Sequence, residues 1–116
     1  MKNILFILFF ATILSGFTKD DPPKTAEVKI KTSAVCGMCK KRIERDLGVT
    51  KGIVGSNLNL DDKVVTVTYN PKKTNPDKIK NAISKIGYDA DAVVADQKAH
   101  DALPDCCQKT AAAHKD

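Results

Sequence analysis

The sequence predicts an α+β fold of the ferredoxin-like type, βαββαβ, with two helices packed on one face of a four-stranded antiparallel sheet. Three observations predict it. Residues 27–32 alternate charged and apolar side chains, and residues 64–69 are dense in β-branched side chains; both are strand signatures. Two segments carry apolar residues at helical spacing, 39–47 and 79–86. The order in which these segments follow one another between Ala26 and Ala95 fits the split βαβ arrangement.

The chain divides into four parts. Residues 1–18 read as a secretory signal. A short basic start, Met1-Lys2-Asn3, precedes an apolar run from Ile4 to Leu14 and the small residues Ser15 and Gly16. The run is shorter than the roughly 20 residues a membrane-spanning helix needs. The expected destination is therefore the periplasm or the extracellular space, with no stable membrane insertion after cleavage. Residues 19–25, with Pro22-Pro23, form a polar linker that cannot propagate regular structure. Residues 26–95 are the folded domain, and residues 96–116 are a tail containing cysteine and histidine.

In the first strand, Val28 and Ile30 face the core. Residues 33–38 form a loop, and the first helix follows over 39–47, with Cys39, Ile43 and Leu47 on one face and Gly48 as its stop. Residues 53–60 and 64–69 make two strands joined by the polar reversal Asp61-Asp62-Lys63. Thr74 or Asn75 caps the second helix, with Pro76 at its first position. Ile79, Ala82, Ile83 and Ile86 form its apolar stripe, and Gly87 ends it. Residues 90–94 are the expected fourth strand. Residues 96–103 suit one more short helix, which would bring Cys106 and Cys107 back toward the first cysteine pair.

Composition excludes several functions. Trp is absent and the only tyrosines are Tyr69 and Tyr88, so there is no platform for stacking bases and no nucleic-acid partner is expected. The charge of +5, from 19 Lys+Arg against 14 Asp+Glu, is scattered and marks an ordinary solvated surface. Neither a serine–histidine–acid set nor a phosphate-cradling glycine loop is present, and the chain does not read as an enzyme.

The chemistry is carried by Cys36-Gly37-Met38-Cys39. Two thiolates two residues apart can converge on one ion, and thiolates select soft metals, Cu(I) first and then Zn(II). Two ligands alone suit linear Cu(I) or Hg(II), because a closed structural zinc site takes four. Cys39 opens a helix, whose free N–H groups and dipole favour the thiolate, and Lys40 and Lys41 add positive potential. Gly37 gives the loop the freedom to turn both sulfurs toward one point. Met38 is either a third, thioether ligand or an adaptable side chain packed beside the loop. In the tail, Cys106, Cys107 and His100 are further ligand types, with His114 beyond them. In an oxidising compartment, Cys106 and Cys107 have a second option, disulfides with Cys36 and Cys39.

The CxxC between strand and helix, the following Lys-Lys-Arg-Ile-Glu and the later Ile-Gly-Tyr-Asp-Ala resemble the heavy-metal-associated domain. Copper chaperones, the amino-terminal domains of copper-transporting ATPases and the periplasmic mercuric-ion carrier share this domain. The resemblance covers residues 26–95. It implies Cys36 and Cys39 as metal ligands and places Tyr88 near the metal. It also implies Cu(I) as the ion, with Hg(II), Zn(II) or Cd(II) as alternatives, and a metal-transporting ATPase or another metal-handling protein as partner. A metal-bridged homodimer is a further option. Lys40, Lys41 and Arg45 would steer docking onto an acidic partner surface. Family members usually carry Met two residues before the first cysteine, whereas Ala34 stands there in this chain.

Three functions fit the sequence: a soft-metal carrier or sequestering protein, a thiol–disulfide redox protein, and an interaction module stabilised by disulfides.

Overall fold

The computed structural model describes residues 24–109. The expected signal segment, most of the linker and His114 lie outside the described residues. Strand β1 (Ala26–Lys31), helix α1 (Gly37–Gly48), strands β2 (Ile53–Asn59) and β3 (Val64–Tyr69) and helix α2 (Pro76–Ile86) follow in the expected order. A short helix α3 (Gln97–Asp101) and a single 3-10 turn (Asp105–Cys107) complete the described chain.

The sheet is antiparallel in the order β1-β3-β2. Val28 pairs with Val67 and Ile30 with Val65 across β1 and β3, while Leu58 pairs with Val65 across β2 and β3. These residues share one face of the pleat. Ile30, Leu58, Val65 and Val67 are buried there against Ile43 and Leu47 of α1 and Ile79 and Ile83 of α2. The opposite face carries Glu27, Lys29, Thr66 and Thr68, which are exposed or half-exposed. Period 2 in the strands and period 3.6 in the helices thus meet in one core.

The expected fourth strand does not form among the described residues. Ala90 makes isolated bridges to Thr32 and to Val93, so only a stub lies beside the end of β1. The chain turns too soon to extend it: the Ala90 and Val93 amides and carbonyls bond each other at 2.9 Å, and Asp91 adopts φ +50°. Asp91 occupies the edge instead. Its carboxylate accepts the Lys31 N–H at 2.8 Å and its own N–H donates to the Lys31 carbonyl at 2.8 Å.

Helix α1 begins at Gly37 rather than Cys39, because Cys36 is its extended N-cap, with φ −154° and ψ 172°, and its carbonyl accepts the Lys40 N–H at 3.1 Å. Gly37 is the first helical residue and does not adopt positive φ. Its expected role as a swivel between the sulfurs is replaced by ordinary helix geometry. Gly48 is the last residue of α1, and the helix passes into Val49 without a left-handed cap. Helix α2 follows the expected chemistry: Asn75 accepts the Lys78 N–H at 2.9 Å, Pro76 opens the helix and Gly87 closes it at φ +116°.

Candidate metal centre

Four segments converge at one end of the sheet: the loop after β1, the start of α1, the turn after α2 and the 3-10 turn of the tail. The β1 loop is held by Thr32, whose N–H and hydroxyl both donate to the Lys63 carbonyl, at 2.9 and 2.8 Å. Thr32 Oγ1 in turn accepts the Ala34 N–H at 3.2 Å. Ala34 is fully buried beneath the loop. This fixes Cys36 as the N-cap and places Cys39 in the first turn of α1, and their sulfurs stand 3.3 Å apart.

The tail returns to this point. After α2, the Asp89 N–H donates to Ser33 Oγ at 2.9 Å, tying the turn to the β1 loop. Asp96 caps α3 by accepting the Ala99 N–H at 3.0 Å. Leu103, only 5% exposed, inserts into the core. The 3-10 turn then sets Cys107 Sγ 3.6 Å from Cys36 Sγ. Cys106 Sγ lies 3.8 Å from Cys107 Sγ and 3.9 Å from the Met38 sulfur. The Cys36, Cys106 and Cys107 sulfurs all lie within 4.8 Å of one another. All four cysteines are free thiols, with Cys36, Cys39 and Cys107 buried and Cys106 half-buried.

Burial raises the Cys36 thiol, and the Cys39 amide that faces its sulfur only partly offsets this. Burial also pushes Cys107 up, and the adjacent Cys39 and Cys36 sulfurs add to the rise. At Cys39 burial again acts upward, but hydrogen bonding from Tyr88, the Val35 backbone, Cys107 and Cys36 outweighs it and holds this thiol below its ordinary range. The first thiolate therefore forms at Cys39. Tyr88 is completely buried and its hydroxyl makes no conventional hydrogen bond. The groups acting on it, besides burial, are the Cys39 and Cys107 sulfurs, and it is pushed strongly upward and stays protonated.

The remaining candidates sort by position. Met38 is half-exposed at the rim and reaches the cluster only through Cys106. His100 stands apart from the sulfur cluster; its Nε2 accepts the Lys109 N–H at 3.0 Å, so it fastens the tail. Lys40 turns inward, bonding Glu44 Oε1 at 2.7 Å, Asn57 Oδ1 at 3.0 Å and the Leu58 carbonyl at 2.7 Å. Lys41 and Arg45 line a surface cleft of about 320 Å³ together with Met38 and Arg42. Arg45 also pairs with Asp46 at 3.0 Å. Leu103 and Asp89, which position the tail, carry no sequence signal beyond one leucine ahead of a proline and one acid after Gly-Tyr.

Comparison with known proteins identifies the family and the fold. The model of the heavy-metal-associated domain matches residues 24–89. A copper-exporting P-type ATPase of Staphylococcus saprophyticus is 39% identical over 67 residues, 58% of this chain and 8% of the ATPase. Its counterpart in Staphylococcus aureus strain JH9 is 37% identical over 67 residues, again 58% and 8%. The chain thus spans less than a tenth of the length of these relatives. Among solved structures, the CopZ metallochaperone is 29% identical with a TM-score of 0.53, covering 56% of this chain and 98% of CopZ. The Cu(I)-loaded N-terminal domain of a potential copper-translocating P-type ATPase from Bacillus subtilis is 30% identical with a TM-score of 0.55, covering 59% and 86%. Oxidized MerP from Ralstonia metallidurans CH34, 19% identical with a TM-score of 0.55 over 58% and 94%, shares the fold. The family match stops at residue 89, before the tail that carries Cys106 and Cys107.

Proposed function

Because this chain belongs to the heavy-metal-associated domain family, we propose that it is an exported carrier or sequestering protein for a soft metal ion, Cu(I), held by Cys36 and Cys39. The observation that carries this reading is the pair of sulfurs 3.3 Å apart at the start of α1, one on the N-cap and one in the first turn, where helix N–H groups favour negative charge. Thiolate is the ligand class that selects Cu(I). The relatives, copper-exporting ATPases and a metallochaperone by name, support copper over mercury. The signal-like segment supports export to the periplasm or beyond, and the likeness to a protein named a metallochaperone supports a carrier.

Metal leaves by ligand exchange. A partner thiolate forms a bond to the ion as one bond to Cys36 or Cys39 breaks, and the released thiolate takes up a proton. Lys41 and Arg45, on the cleft beside Met38, give a positive surface on which an acidic metal-transporting ATPase domain docks, an attraction that salt weakens. Redox chemistry fits less well. The low-pKa thiol is Cys39, and it is fully buried, whereas an attacking thiolate must be accessible.

Cu(I) titration of the reduced protein against a competing chelator tests this reading. Tight binding in the wild type that disappears in Cys36→Ser is the expected result. Equal affinity in both proteins would end it.

A further inference from the structure

The sulfurs of this protein do not stop at the CxxC pair. Cys39, Cys36, Cys107, Cys106 and Met38 form an unbroken run with successive spacings of 3.3, 3.6, 3.8 and 3.9 Å. We infer that Cys107, with Cys106 beside it, completes a closed multi-thiolate site with Cys36 and Cys39, so that the tail is a ligand-bearing strap over the metal. The inference rests on the reading of Cys36 and Cys39 as ligands and adds two ligands from residues beyond the family match.

Spacing supports it. With metal–sulfur bonds of about 2.3 Å, tetrahedral coordination sets sulfurs about 3.8 Å apart, trigonal about 4.0 Å and linear about 4.6 Å. The Cys36–Cys107 and Cys107–Cys106 spacings of 3.6 and 3.8 Å lie near the three- and four-coordinate values. A linear two-thiolate site would need the CxxC sulfurs to move apart by more than 1 Å from their 3.3 Å separation.

Burial points the same way. Cys107 is 0% exposed in a tail whose neighbours Asp105 and Gln108 reach solvent, so the 3-10 turn aims that thiol inward. Independently, the Tyr88 hydroxyl is fully buried, lacks a conventional partner and faces Cys39 and Cys107. A buried donor beside these sulfurs suits thiolates that carry charge, which is the state metal binding requires. The strap is fastened on both sides of the cysteines, by Leu103 in the core and by the Lys109 ion pair to Asp89 at 2.8 Å. Cys106, half-buried and next to Met38 at the rim, is the sulfur through which an ion enters or leaves.

The test uses the full reduced chain with Cd(II) and Cu(I) as probes, comparing wild type, Cys107→Ser, Cys106→Ser and Cys36→Ser. Thiolate-to-Cd(II) charge-transfer absorbance per bound ion counts thiolates. The expected wild-type value corresponds to three or four, falling by one thiolate in Cys107→Ser. Cu(I) affinity should fall about tenfold or more in Cys107→Ser, since losing even an outer partner of a ligand costs about 10- to 100-fold. Amide exchange of metal-free Cys107→Ser checks that the tail still docks. Should it not, Cys106→Ser, at the half-exposed position, carries the thiolate count instead. If the absorbance and affinity of both tail variants match wild type while Cys36→Ser loses binding, the strap is not a ligand and the two-thiolate carrier stands. If Cys36→Ser also binds like wild type, the carrier reading falls with it.

Discussion

Burial acts upward on the thiols of Cys36, Cys39 and Cys107, and the hydrogen bonds that reach each sulfur decide what remains of that rise. Cys39 receives enough of them to fall below its ordinary range, while Cys36 and Cys107 do not. The Tyr88 hydroxyl is the largest of the lowering influences on Cys39. Removing it in Tyr88→Phe should move the Cys39 thiol upward, read as a shift to higher pH in its alkylation-rate profile. Global stability should change by less than about 1 kcal/mol, because the only groups that deletion deprives of the hydroxyl are sulfurs, weak acceptors while they are protonated. The approach of the Cys36 and Cys39 sulfurs was legible in the sequence because it depends on short spacing along the chain at a helix start. The inward turn of Lys40 was not, since its partners Asn57 and Leu58 belong to a strand that only tertiary packing brings near. Cys107 was legible as a ligand type, but its place against Cys36 depends on a return of the chain that no local pattern encodes.

At the scale of elements, the strands and helices follow their periodicity closely, and β3 and α2 occupy the residues that β-branched density, Asn75-Pro76 and Gly87 mark out. The fourth strand failed because the mostly apolar composition of residues 90–94 says nothing about whether the backbone can extend, and Asp91 bends it after a single bridge to Thr32. Gly87 does more than stop α2. A Cβ there would lie 3.0 Å from the carbonyl carbon and oxygen of Ala99 in α3, so the missing side chain is what lets α3 pack on the end of α2. Gly87→Ala should cost roughly 1–2 kcal/mol from the left-handed backbone alone. It should also displace α3. A lower urea midpoint together with faster amide exchange over residues 97–107 is the expected signature; a lower midpoint with unchanged exchange there would show that the backbone strain acts without moving the tail.

For the whole molecule, the tail is joined to the domain by contacts that respond to acid. Burial pushes the Asp89 carboxyl up, but Lys109 and the Ala95 N–H outweigh this and hold it below its usual range. The folded value lies below the unfolded one, so its contribution is complete above about 3.9 and is lost as pH falls through the lower folded value. Both partners are partly exposed, with side chains 39% and 32% accessible, which limits the pair to about 1 kcal/mol or less. Amide protection of the tail should therefore decline in that acid window, and Asp89→Asn should remove the decline while lowering protection at neutral pH.

The complete burial of Cys36, Cys39 and Cys107 has a kinetic consequence. On the carrier reading, an acceptor meets the closed protein only at the half-buried Cys106, and the three buried sulfurs give up the ion only once the tail lifts. Transfer then follows two steps in series, an opening that belongs to this chain alone and a bimolecular capture. The observed rate should rise with acceptor concentration only until capture outruns reclosure, and then level off at the opening rate, whichever acceptor is used. A chain shortened before Cys106 has no such ceiling, and in stopped flow its transfer rate should climb in proportion to acceptor throughout the range where the intact protein has already reached its plateau.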